Sequence, residues 1–446
     1  MTPRFLSRLW LKRYLSRNAC SASEIFEFPL FRPDEQRRIL ARKLLDQIRY
    51  FGARGDALPE WREARSINDP DTLWKLWPSL PIVGKKLLVE RFPATEIGTR
   101  YSIEGSVNST GGSTGEPTHF YHDATMTRTC QAATYYAREK LGWRPGMPLI
   151  TIWGSERDIG KQTGTWKQRL DSRLRNEYLI DGYNLTDRTV DQTLQLIRQF
   201  APVALAGFTS MLEYVADRVL QRGESVQHGI VAAGWNGGEM LFEHQKQLFR
   251  DAFGCPLLNL YGGRELSTIA CQSTENGPLE ILRPWVFVEV VDDNGRPVAP
   301  GDPGRLICTS TVCRGTPFLR YEIGDLGAYA HECCNESGLT ALSELLGRVA
   351  GLFELPDGRK ISNLYWNHLF KKIPEVKQFQ VMLRSNGTVN LLLRGSGFAP
   401  AREKHLRETL SNFLGPVPVQ IDWVQSIPRT TQGKLIQVIR EPQSVN

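Results

Sequence analysis

The stretch Val203-Ala-Leu-Ala-Gly207 is a short apolar run, and two similar runs follow it, Gly229-Ile-Val-Ala-Ala-Gly234 and Leu257-Leu-Asn-Leu-Tyr-Gly262. Between them lie segments with helical spacing of apolar residues, at 209–222 and near 239–253. Apolar strands that alternate with helices build a mostly parallel sheet whose faces are covered by those helices. The sequence therefore predicts an α/β fold for this part of the chain.

The same alternation extends towards the N-terminus. Residues 34–52 and 123–141 show helical spacing, and Asp123 is placed to cap the second of these helices. Leu149-Ile-Thr-Ile-Trp153 has the length and composition of a buried strand, and residues 187–200 are again helical. Together these segments predict a large unit of parallel strands covered by helices.

The pattern changes from about residue 285. Trp285–Gly295 has the pattern of a strand that runs into a tight turn, and Gly304–Thr311 that of a second strand, so we expect a small β-rich subdomain. After Gly347-Arg348 the chain carries its own strand and helix patterns. We therefore divide it into an N-terminal domain, 1–346, and a small α+β C-terminal domain, 347–446.

The length and composition fit a multidomain globular protein. At 446 residues the chain is too long for one ordinary core, and 41% hydrophobic and 23% charged residues are typical values. The net charge of +7 is spread along the chain without a basic patch interleaved with aromatic residues, so we expect no nucleic-acid partner. No apolar run approaches the length of a transmembrane segment. The sequence leaves the oligomeric state open.

The cysteines indicate a reducing compartment. The chain has 8 of them, none in a Cys-x-x-Cys pair and none after a secretory signal, so we expect free thiols in a cytoplasmic protein. Cys271, Cys333 and Cys334 are too scattered to make a four-ligand zinc set, and no histidine follows Cys271 closely. Buried free thiols are therefore favoured over structural zinc.

The first 20 residues form a basic amphipathic segment. Basic residues precede Glu24, the first acid of the chain, and apolar residues recur between them at helical spacing. This pattern is compatible with a helix packed on the body, with peripheral membrane contact through residues 1–20, or with a transit-like segment. We favour the packed helix, because single amphipathic helices are common in globular proteins.

The segment Ser109-Thr-Gly-Gly-Ser-Thr-Gly-Glu-Pro117 cannot contribute to a core. Its glycines let backbone N–H groups approach an oxyanion, and its hydroxyls add donors, a combination that suits phosphate. It has neither the Gly-Lys-Ser/Thr ending of the P-loop nor the Gly-x-Gly-x-x-Gly dinucleotide fingerprint. Alone, it is equally compatible with a surface linker. Its candidate phosphate-binding residues are Ser109, Thr110, Gly111, Gly112, Ser113, Thr114 and Gly115.

Four further segments follow this loop in order. They are Asn259–Glu265, Arg320–Asp325, Gly347-Arg348 and Pro428–Lys434. The five motifs together resemble those of the acyl-adenylate-forming superfamily, which includes acyl-CoA synthetases and the adenylation domains of peptide synthetases. Each motif alone would be weak, but their common order makes the resemblance specific.

Within that superfamily, the chain is most similar to the phenylacetate–CoA ligase branch and, inside it, to CapK-like proteins. Leu80-Pro-Ile, Ala206-Gly-Phe-Thr-Ser and Tyr261-Gly-Gly-Arg-Glu-Leu are typical of that branch. The resemblance implies a large adenylate-forming domain with a small mobile C-terminal lid. It also implies ATP and Mg²⁺ as cofactors, a carboxylic acid as substrate, and coenzyme A or the phosphopantetheine of an acyl carrier protein as acceptor.

The resemblance assigns the nucleotide to particular residues. The loop from Thr110 to Pro117 would hold the β- and γ-phosphates and the departing pyrophosphate. Tyr261, followed by Gly262, would stack on the adenine. Asp325 would accept hydrogen bonds from both ribose hydroxyls.

The resemblance also implies three catalytic residues. Glu265 would bind Mg²⁺, an oxygen-seeking cation that keeps several waters. Arg348 would support the nucleotide, and Lys434, a compact charge on a flexible stem, would bridge the carboxylate and the α-phosphate.

The chain departs from the family pattern at several positions. Gly111 stands where serine is common, and Glu116 where lysine is frequent. No carboxylate occupies the hinge positions 349–351, and Asp357–Ser362 differs from the glycine-rich thiol-tunnel motif. The adenylation half-reaction is therefore better supported than a thiol acceptor, and an amine acceptor or a non-catalytic nucleotide-binding protein stand as alternatives.

The acid should bind in the crevice at the carboxyl ends of the parallel strands. Trp153, Phe208, Trp235 and Asn236 are near loops that would line it. Aromatic residues at such positions belong more often to the core, so these four rank below the other candidates. The sequence does not identify the acid.

Overall fold

The computed structural model describes most of the chain from residue 24 onwards. The described residues are 24–110, 118–154, 166–182, 185–331, 334–335, 338–348, 353–354, 360–361, 366, 369–370, 373, 375–384, 386–428 and 438–440. Several predicted features lie outside these ranges, namely the amphipathic segment at 1–20, the glycine-rich stretch 111–117, the hinge positions 349–351 and Lys434.

Helices form where the apolar spacing predicted them. The described α-helices are α1 (Pro33–Gly52), α2 (Pro59–Ala64), α3 (Pro70–Leu76), α4 (Lys85–Arg91), α5 (Ala94–Arg100), α6 (Ala124–Lys140), α7 (Trp166–Arg175), α8 (Asp187–Phe200), α9 (Thr209–Gln221), α10 (Glu243–Phe253) and α11 (Pro400–Leu414). The predictions at 34–52, 123–141, 187–200 and 209–222 are confirmed to within one residue at each end.

Two helix starts show what fixes a boundary. Asp123 caps α6 as predicted, because its Oδ1 accepts hydrogen bonds from the backbone N–H of Thr125 and of Met126 at 2.9 and 3.0 Å. Helix α10 begins at Glu243 rather than near residue 239, after Gly238 has taken a left-handed φ of 71°. The glycine supplies that turn without a Cβ penalty, so the helix starts later than its apolar spacing suggested.

A short hairpin precedes the parallel sheet. Its strands are β1 (Gly105–Ser109) and β2 (His119–Asp123), which pair antiparallel from Gly105 opposite Asp123 to Ser109 opposite His119. The glycine-rich segment is therefore the connection between two paired strands. No sequence pattern indicated this pairing.

The predicted parallel sheet is confirmed. Its strands are β3 (Leu149–Trp153), β4 (Glu177–Asp181), β5 (Val203–Phe208), β6 (Val231–Gly237) and β7 (Leu257–Leu258), in the order β4-β3-β5-β6-β7 with every pairing parallel. In β5, Val203 and Leu205 belong to one hydrophobic core, while Ala204 and Ala206 belong to another. The sheet is thus buried on both faces, as its continuous apolar runs require.

The β-rich part is larger than the sequence suggested, and it begins before residue 285. A seven-stranded antiparallel sheet follows the order β11-β12-β13-β16-β10-β9-β8. Its strands are β8 (Leu260–Gly263), β9 (Ser267–Gln272), β10 (Leu279–Ile281), β11 (Val286–Val291), β12 (Pro303–Ser310), β13 (Tyr321–Tyr329) and β16 (Ala341–Arg348). Strands β8 and β10 have only four and three residues, so their pattern did not stand out. The chain also forms two short antiparallel ribbons. One pairs β14 (Cys334–Asn335) with β15 (Gly338–Leu339), and the other pairs β17 (Phe353–Glu354) with β18 (Lys360–Ile361).

The C-terminal part has its own sheet and core. Strands β19 (Val376–Leu383), β20 (Val389–Gly395), β21 (Val419–Trp423) and β22 (Val438–Arg440) form a mixed sheet in the order β21-β20-β19-β22. Its apolar face packs with Leu406, Leu410 and Leu414 of α11. All buried members of this core lie between Trp366 and Val438. The position of the domain boundary at 347 stays a prediction.

Within the described ranges, no helix is long and apolar enough to cross a membrane.

Candidate active site

Tyr261 and Asp325 are in contact. The Tyr261 hydroxyl donates a hydrogen bond of 2.8 Å to Oδ2 of Asp325. Tyr261 lies on β8 and Asp325 on β13, which are four steps apart in the order of the sheet. Neighbouring strands are spaced by about 4.8 Å, so a flat sheet would separate these two strands by about 19 Å, well beyond the reach of a tyrosine. The sheet must therefore curl until its edge strand faces β13.

Glu265 occupies the turn between β8 and β9. Ser267, at the end of this tight connection, has a left-handed φ of 56°. Glu265 is only 3% exposed, its Oε1 lies 3.4 Å from the donating hydroxyl of Tyr321, and Nζ of Lys85 is 3.9 Å from the same oxygen. A buried carboxylate is thus held beside one hydroxyl and one cation. Lys85 and Tyr321 were missed as site residues, although Lys85 follows the Leu80-Pro-Ile motif by three residues.

His122 holds the backbone of the same turn. Its Nε2 lies 2.8 Å from the carbonyl oxygen of Glu265 and the residue is 6% exposed. Burial lowers the pKa of His122, against the opposite effects of the Glu265 carbonyl and Asp123. Because a carbonyl can only accept, Nε2 carries the hydrogen of this bond. No sequence signal pointed to His122, since the contact spans 143 residues.

The base of the glycine-rich loop is closed by hydrogen bonds. The N–H of Thr110 donates to the carbonyl of Thr118 at 3.0 Å, and the N–H of Thr118 donates to Oγ1 of Thr110 at 2.9 Å. Ser109, at the end of β1, is 7% exposed. The hairpin therefore anchors both ends of the loop, while Gly111 to Gly115 and Glu116 lie outside the described residues.

Arg348 is brought opposite Asp325. The two residues are paired in the antiparallel register of β16 and β13, and Gly347 beside it has a left-handed φ of 91°. The side chain of Arg348 lies outside the described part of the structure, as does the whole of Lys434. Their expected roles stay predictions.

A buried thiol lies close to the carboxylates. Burial, with the charges of Asp325, Glu289 and Glu265, raises the pKa of Cys308 well above its ordinary value. Cys308 is 0% exposed and therefore stays a neutral thiol, unsuited to act as a nucleophile. Cys130, Cys255, Cys271, Cys308 and Cys313 are free thiols.

The three aromatic residues assigned to the acid pocket lie in or against the two cores on opposite faces of the parallel sheet. The rings of Trp153 and Phe208 stack with centroids 3.9 Å apart and planes 14° apart. A Cβ on Gly238 would lie 2.5 Å from the Phe208 ring, so only glycine allows that ring its place. Trp235 is 4% exposed and belongs to the core on the other face of the sheet.

Asn236 ties the two sheets together. Its Nδ2 donates to Oγ1 of Thr209 at 2.8 Å and to the carbonyl of Glu239 at 3.0 Å. Its Oδ1 accepts from the N–H of Leu260, the residue before Tyr261, at 3.2 Å. These contacts support a role in positioning β8. Contact of Asn236 with a substrate stays a prediction.

Arg320, at the head of the motif that ends in Asp325, contacts residues outside the candidate set. Its guanidinium pairs with Glu289, with 3.1 Å between Nη2 and Oε1, and donates to the carbonyls of Pro78 and Leu80. The side chain is 1% exposed. Arg320 thus fixes the Leu80-Pro-Ile segment to the sheet, which places Lys85 near Glu265.

The metal-ligating atoms among the described residues fit a magnesium–nucleotide complex better than a metal ion bound by protein alone. Within the described ranges, no group of three or more His, Cys, Asp or Glu residues is placed to hold a metal ion. The available ligands are oxygens, the carboxylate of Glu265 and the hydroxyls around the loop hairpin. Mg²⁺ is commonly held by one or two carboxylates together with phosphates and water. The residues present therefore fit that ion.

Comparison with known proteins gives a consistent relationship. The family described as AMP-binding enzyme matches residues 178–315. A phenylacetate-coenzyme A ligase of Thermus thermophilus is 25% identical over 324 residues, covering 70% of each chain. Protein CapK of Staphylococcus aureus is 28% identical over 217 residues, covering 48% of this chain and 46% of CapK. These matches confirm the resemblance to AMP-binding enzymes of the phenylacetate–CoA ligase and CapK-like branch.

Solved structures confirm the fold. A 2-hydroxyisobutyryl-CoA ligase in the postadenylation state, in complex with 2-HIB-AMP, aligns with a TM-score of 0.66 and 18% identity, covering 91% of this chain and 90% of the ligase. The same ligase in the thioesterification state aligns with a TM-score of 0.53, covering 92% and 90%. The mixed α/β architecture is that of adenylate-forming ligases.

Proposed function

We propose that this chain, a relative of the AMP-binding enzymes, is an acid–thiol ligase. It would use ATP to convert a carboxylic acid to an acyl-AMP, release pyrophosphate, and transfer the acyl group to coenzyme A or to the phosphopantetheine of a carrier protein. The names of the ligases that match it support this assignment.

One observation carries the proposal. The fold assembles parts that are far apart in sequence, because His122 at the loop hairpin contacts the Glu265 turn across 143 residues, and Tyr261 contacts Asp325 across 64. The strand that follows the glycine-rich segment is thus connected to the elements that carry Tyr261, Glu265 and Asp325, which supports a common site for phosphate, metal, adenine and ribose. A surface linker would not explain why the strand that follows the glycine-rich segment contacts the Glu265 turn.

The reaction sets two demands on this site. Joining a carboxylate oxygen to the α-phosphorus brings two anions together, so negative charge must be neutralised where it accumulates. The carboxylate must also lie in line with the departing pyrophosphate, and such positioning contributes several kcal/mol. The loop would bind the β- and γ-phosphates, and Lys434 would bridge the two reacting groups.

The remaining residues would hold the nucleoside and the metal. Tyr261, whose hydroxyl donates to Asp325, would contact the adenine, while Asp325 would accept the ribose hydroxyls. Glu265 would hold Mg²⁺, which when bound would neutralise phosphate charge. Arg348, opposite Asp325, would support the nucleotide.

Exchange of labelled pyrophosphate into ATP, measured over a panel of aryl and fatty acids, tests the first half-reaction. We expect exchange with at least one acid, and none with Lys434→Ala. If no acid gives exchange above that variant, the chain is not an adenylating enzyme, and nucleotide binding without turnover would identify a non-catalytic protein.

The acceptor requires a separate experiment, because the thiol is supported by the relatives rather than by described residues. Acyl-AMP made from the active acid is offered to coenzyme A, a phosphopantetheinylated carrier protein and amines, and the products are identified by mass. We expect a thioester. An amide as the sole product would replace the thiol ligase with an amide ligase.

A further inference from the structure

We propose that His122 is a positioning residue that fixes the Glu265 turn to the strand leaving the phosphate loop. The inference rests on the proposed function, in which Glu265 binds the metal of the magnesium–ATP complex. It adds a residue outside all five motifs and assigns it to metal affinity rather than to chemistry.

His122 is itself held rigidly. Its strand, β2, pairs with β1 on one side, with Ser106 opposite His122. On the other side the N–H of Tyr121 donates to Oγ1 of Thr316 at 2.7 Å, and the N–H of Thr316 donates to the carbonyl of Tyr121 at 3.1 Å. Because β2 is hydrogen-bonded along both edges, the backbone of His122 is held in place, and its side chain can position the Glu265 turn.

The ring of His122 is also confined. It packs against two aromatic rings, Phe120 with centroids 4.9 Å apart and Phe318 with centroids 6.3 Å apart, which also contact each other. The imidazole therefore has one well-defined direction in which to donate, towards the Glu265 carbonyl at 2.8 Å. Ring packing and the hydrogen bond together fix the position of the Glu265 carbonyl.

Glu265 needs such support more than a strand residue would. It lies in a tight turn, where the ladder hydrogen bonds of β8 and β9 have ended. A ligand group on a turn must be held by neighbouring side chains if its carboxylate is to keep one position. Loss of hydrogen-bonded support behind a ligand typically lowers metal affinity by about 10- to 100-fold.

The contact also joins the metal ligand to the phosphate loop. His122 is three residues from His119, where β2 begins, and strands rise by about 3.3 Å per residue. The strand that leaves the loop therefore begins about 10 Å from the residue that holds Glu265. One short strand would therefore fix the metal ligand and the loop that binds the β- and γ-phosphates relative to each other.

Calorimetric titration with ATP, in Mg²⁺ and in EDTA, tests the inference. The variants are His122→Leu, which removes the donor, His122→Gln, whose amide can reach the same carbonyl, and His122→Asn, whose amide is too short. His228→Leu is the matched control, because His228 makes the same type of contact with the carbonyl of Gly254 at 2.6 Å on an exposed loop.

We expect the gain in ATP affinity caused by Mg²⁺ to fall by about 10-fold in His122→Leu and His122→Asn, and to be kept in His122→Gln and the control. Affinity for ATP in EDTA should change by less than about 2-fold, because the positioned carboxylate then has no metal to bind. A role of His122 in the core alone would lower the melting temperature without altering this ratio.

The outcomes separate the inference from the function beneath it. If the wild-type chain binds no ATP in either buffer, the proposed function fails and this inference with it. If it binds ATP and the Leu and Asn variants keep the full gain from Mg²⁺, only the inference is overturned. Should His122→Leu not fold, His122→Asn decides, and failure of all three variants to fold would assign His122 to the core.

Discussion

Arg394 of β20 and Glu213 of α9 form an ion pair across 181 residues of sequence, with 3.2 Å between Nη1 and Oε1. Glu213 also accepts hydrogen bonds of 2.8 Å from Nε2 of Gln245 and from Nε2 of Gln378. Its carboxylate is 6% exposed. One buried acid therefore joins the parallel-sheet unit to the C-terminal sheet.

The face of the C-terminal sheet that meets Glu213 is polar. Gln378 and Gln380 of β19 alternate with Phe379 and Val381, which belong to the C-terminal core. Polar interfaces between domains separate at lower cost than apolar ones. This arrangement supports the proposal that the C-terminal part is a mobile lid, with Glu213 holding it in the arrangement described.

Glu213→Ala should destabilise the chain. It leaves the Arg394 guanidinium and two buried amides without their acceptor, and breaking a buried pair costs about 3 to 5 kcal/mol. Because Arg394 is partly exposed, we expect the lower end of that range in urea unfolding. The matched control is Glu224→Ala, which removes an exposed pair with Arg198 and should cost below about 1 kcal/mol. Equal losses in the two variants would contradict a structural role for Glu213.

Stability should fall in acid through His244. Burial lowers the pKa of His244, Lys377 and Arg394 act in the same direction, and Glu213 acts against them. The folded protein binds this proton less tightly than the unfolded chain does. The contribution of neutral His244 to the free energy of unfolding is therefore full above the ordinary histidine pKa of about 6.5. It is lost as pH falls through the pKa of His244 in the folded protein.

His244→Gln provides the measurement. Urea unfolding between pH 5 and 8 should show a smaller loss of stability in acid for this variant than for the wild type, because the variant cannot take up the proton. Identical pH dependence in the two proteins would mean that another group, such as the buried His122, causes the whole effect.

Tyr261→Phe should weaken nucleotide binding while keeping the ring. The hydrogen bond to Asp325 fixes both side chains, and its loss costs about 1 kcal/mol, or roughly 5-fold in ATP affinity. Tyr329→Phe is the control, since that hydroxyl donates to the carbonyl of Val288 at 2.8 Å within the sheet. The control should lower the melting temperature and leave ATP affinity unchanged. Unchanged affinity in Tyr261→Phe would exclude this pair from the nucleotide site.

The sequence predicted the part of the fold that depends on local pattern. Continuous apolar runs such as Val203–Phe208 must be buried on both faces, so the parallel sheet followed from them. The contacts of His122 and Lys85 with Glu265 could not be predicted, because they depend on how distant strands curl together. Arg320 begins one of the five motifs, and its burial assigns it to the framework.

Arg320→Met tests that assignment. Burial raises the pKa of Glu289, and Arg320 acts against this rise, so the acid depends on its partner. Removing the guanidinium leaves an uncompensated buried carboxylate and should cost about 3 to 5 kcal/mol in urea unfolding. The carbonyls of Pro78 and Leu80 would also lose their donor.

The double variant Arg320→Met with Glu289→Leu separates charge from packing. Replacing both members of a buried pair by apolar residues is often neutral or stabilising, so we expect the double variant to be more stable than Arg320→Met. If the two are equally unstable, the carbonyls of Pro78 and Leu80 rather than Glu289 are the main partners of Arg320. Lys85 is positioned through the Leu80-Pro-Ile segment. The double variant should therefore weaken nucleotide binding only if that segment moves.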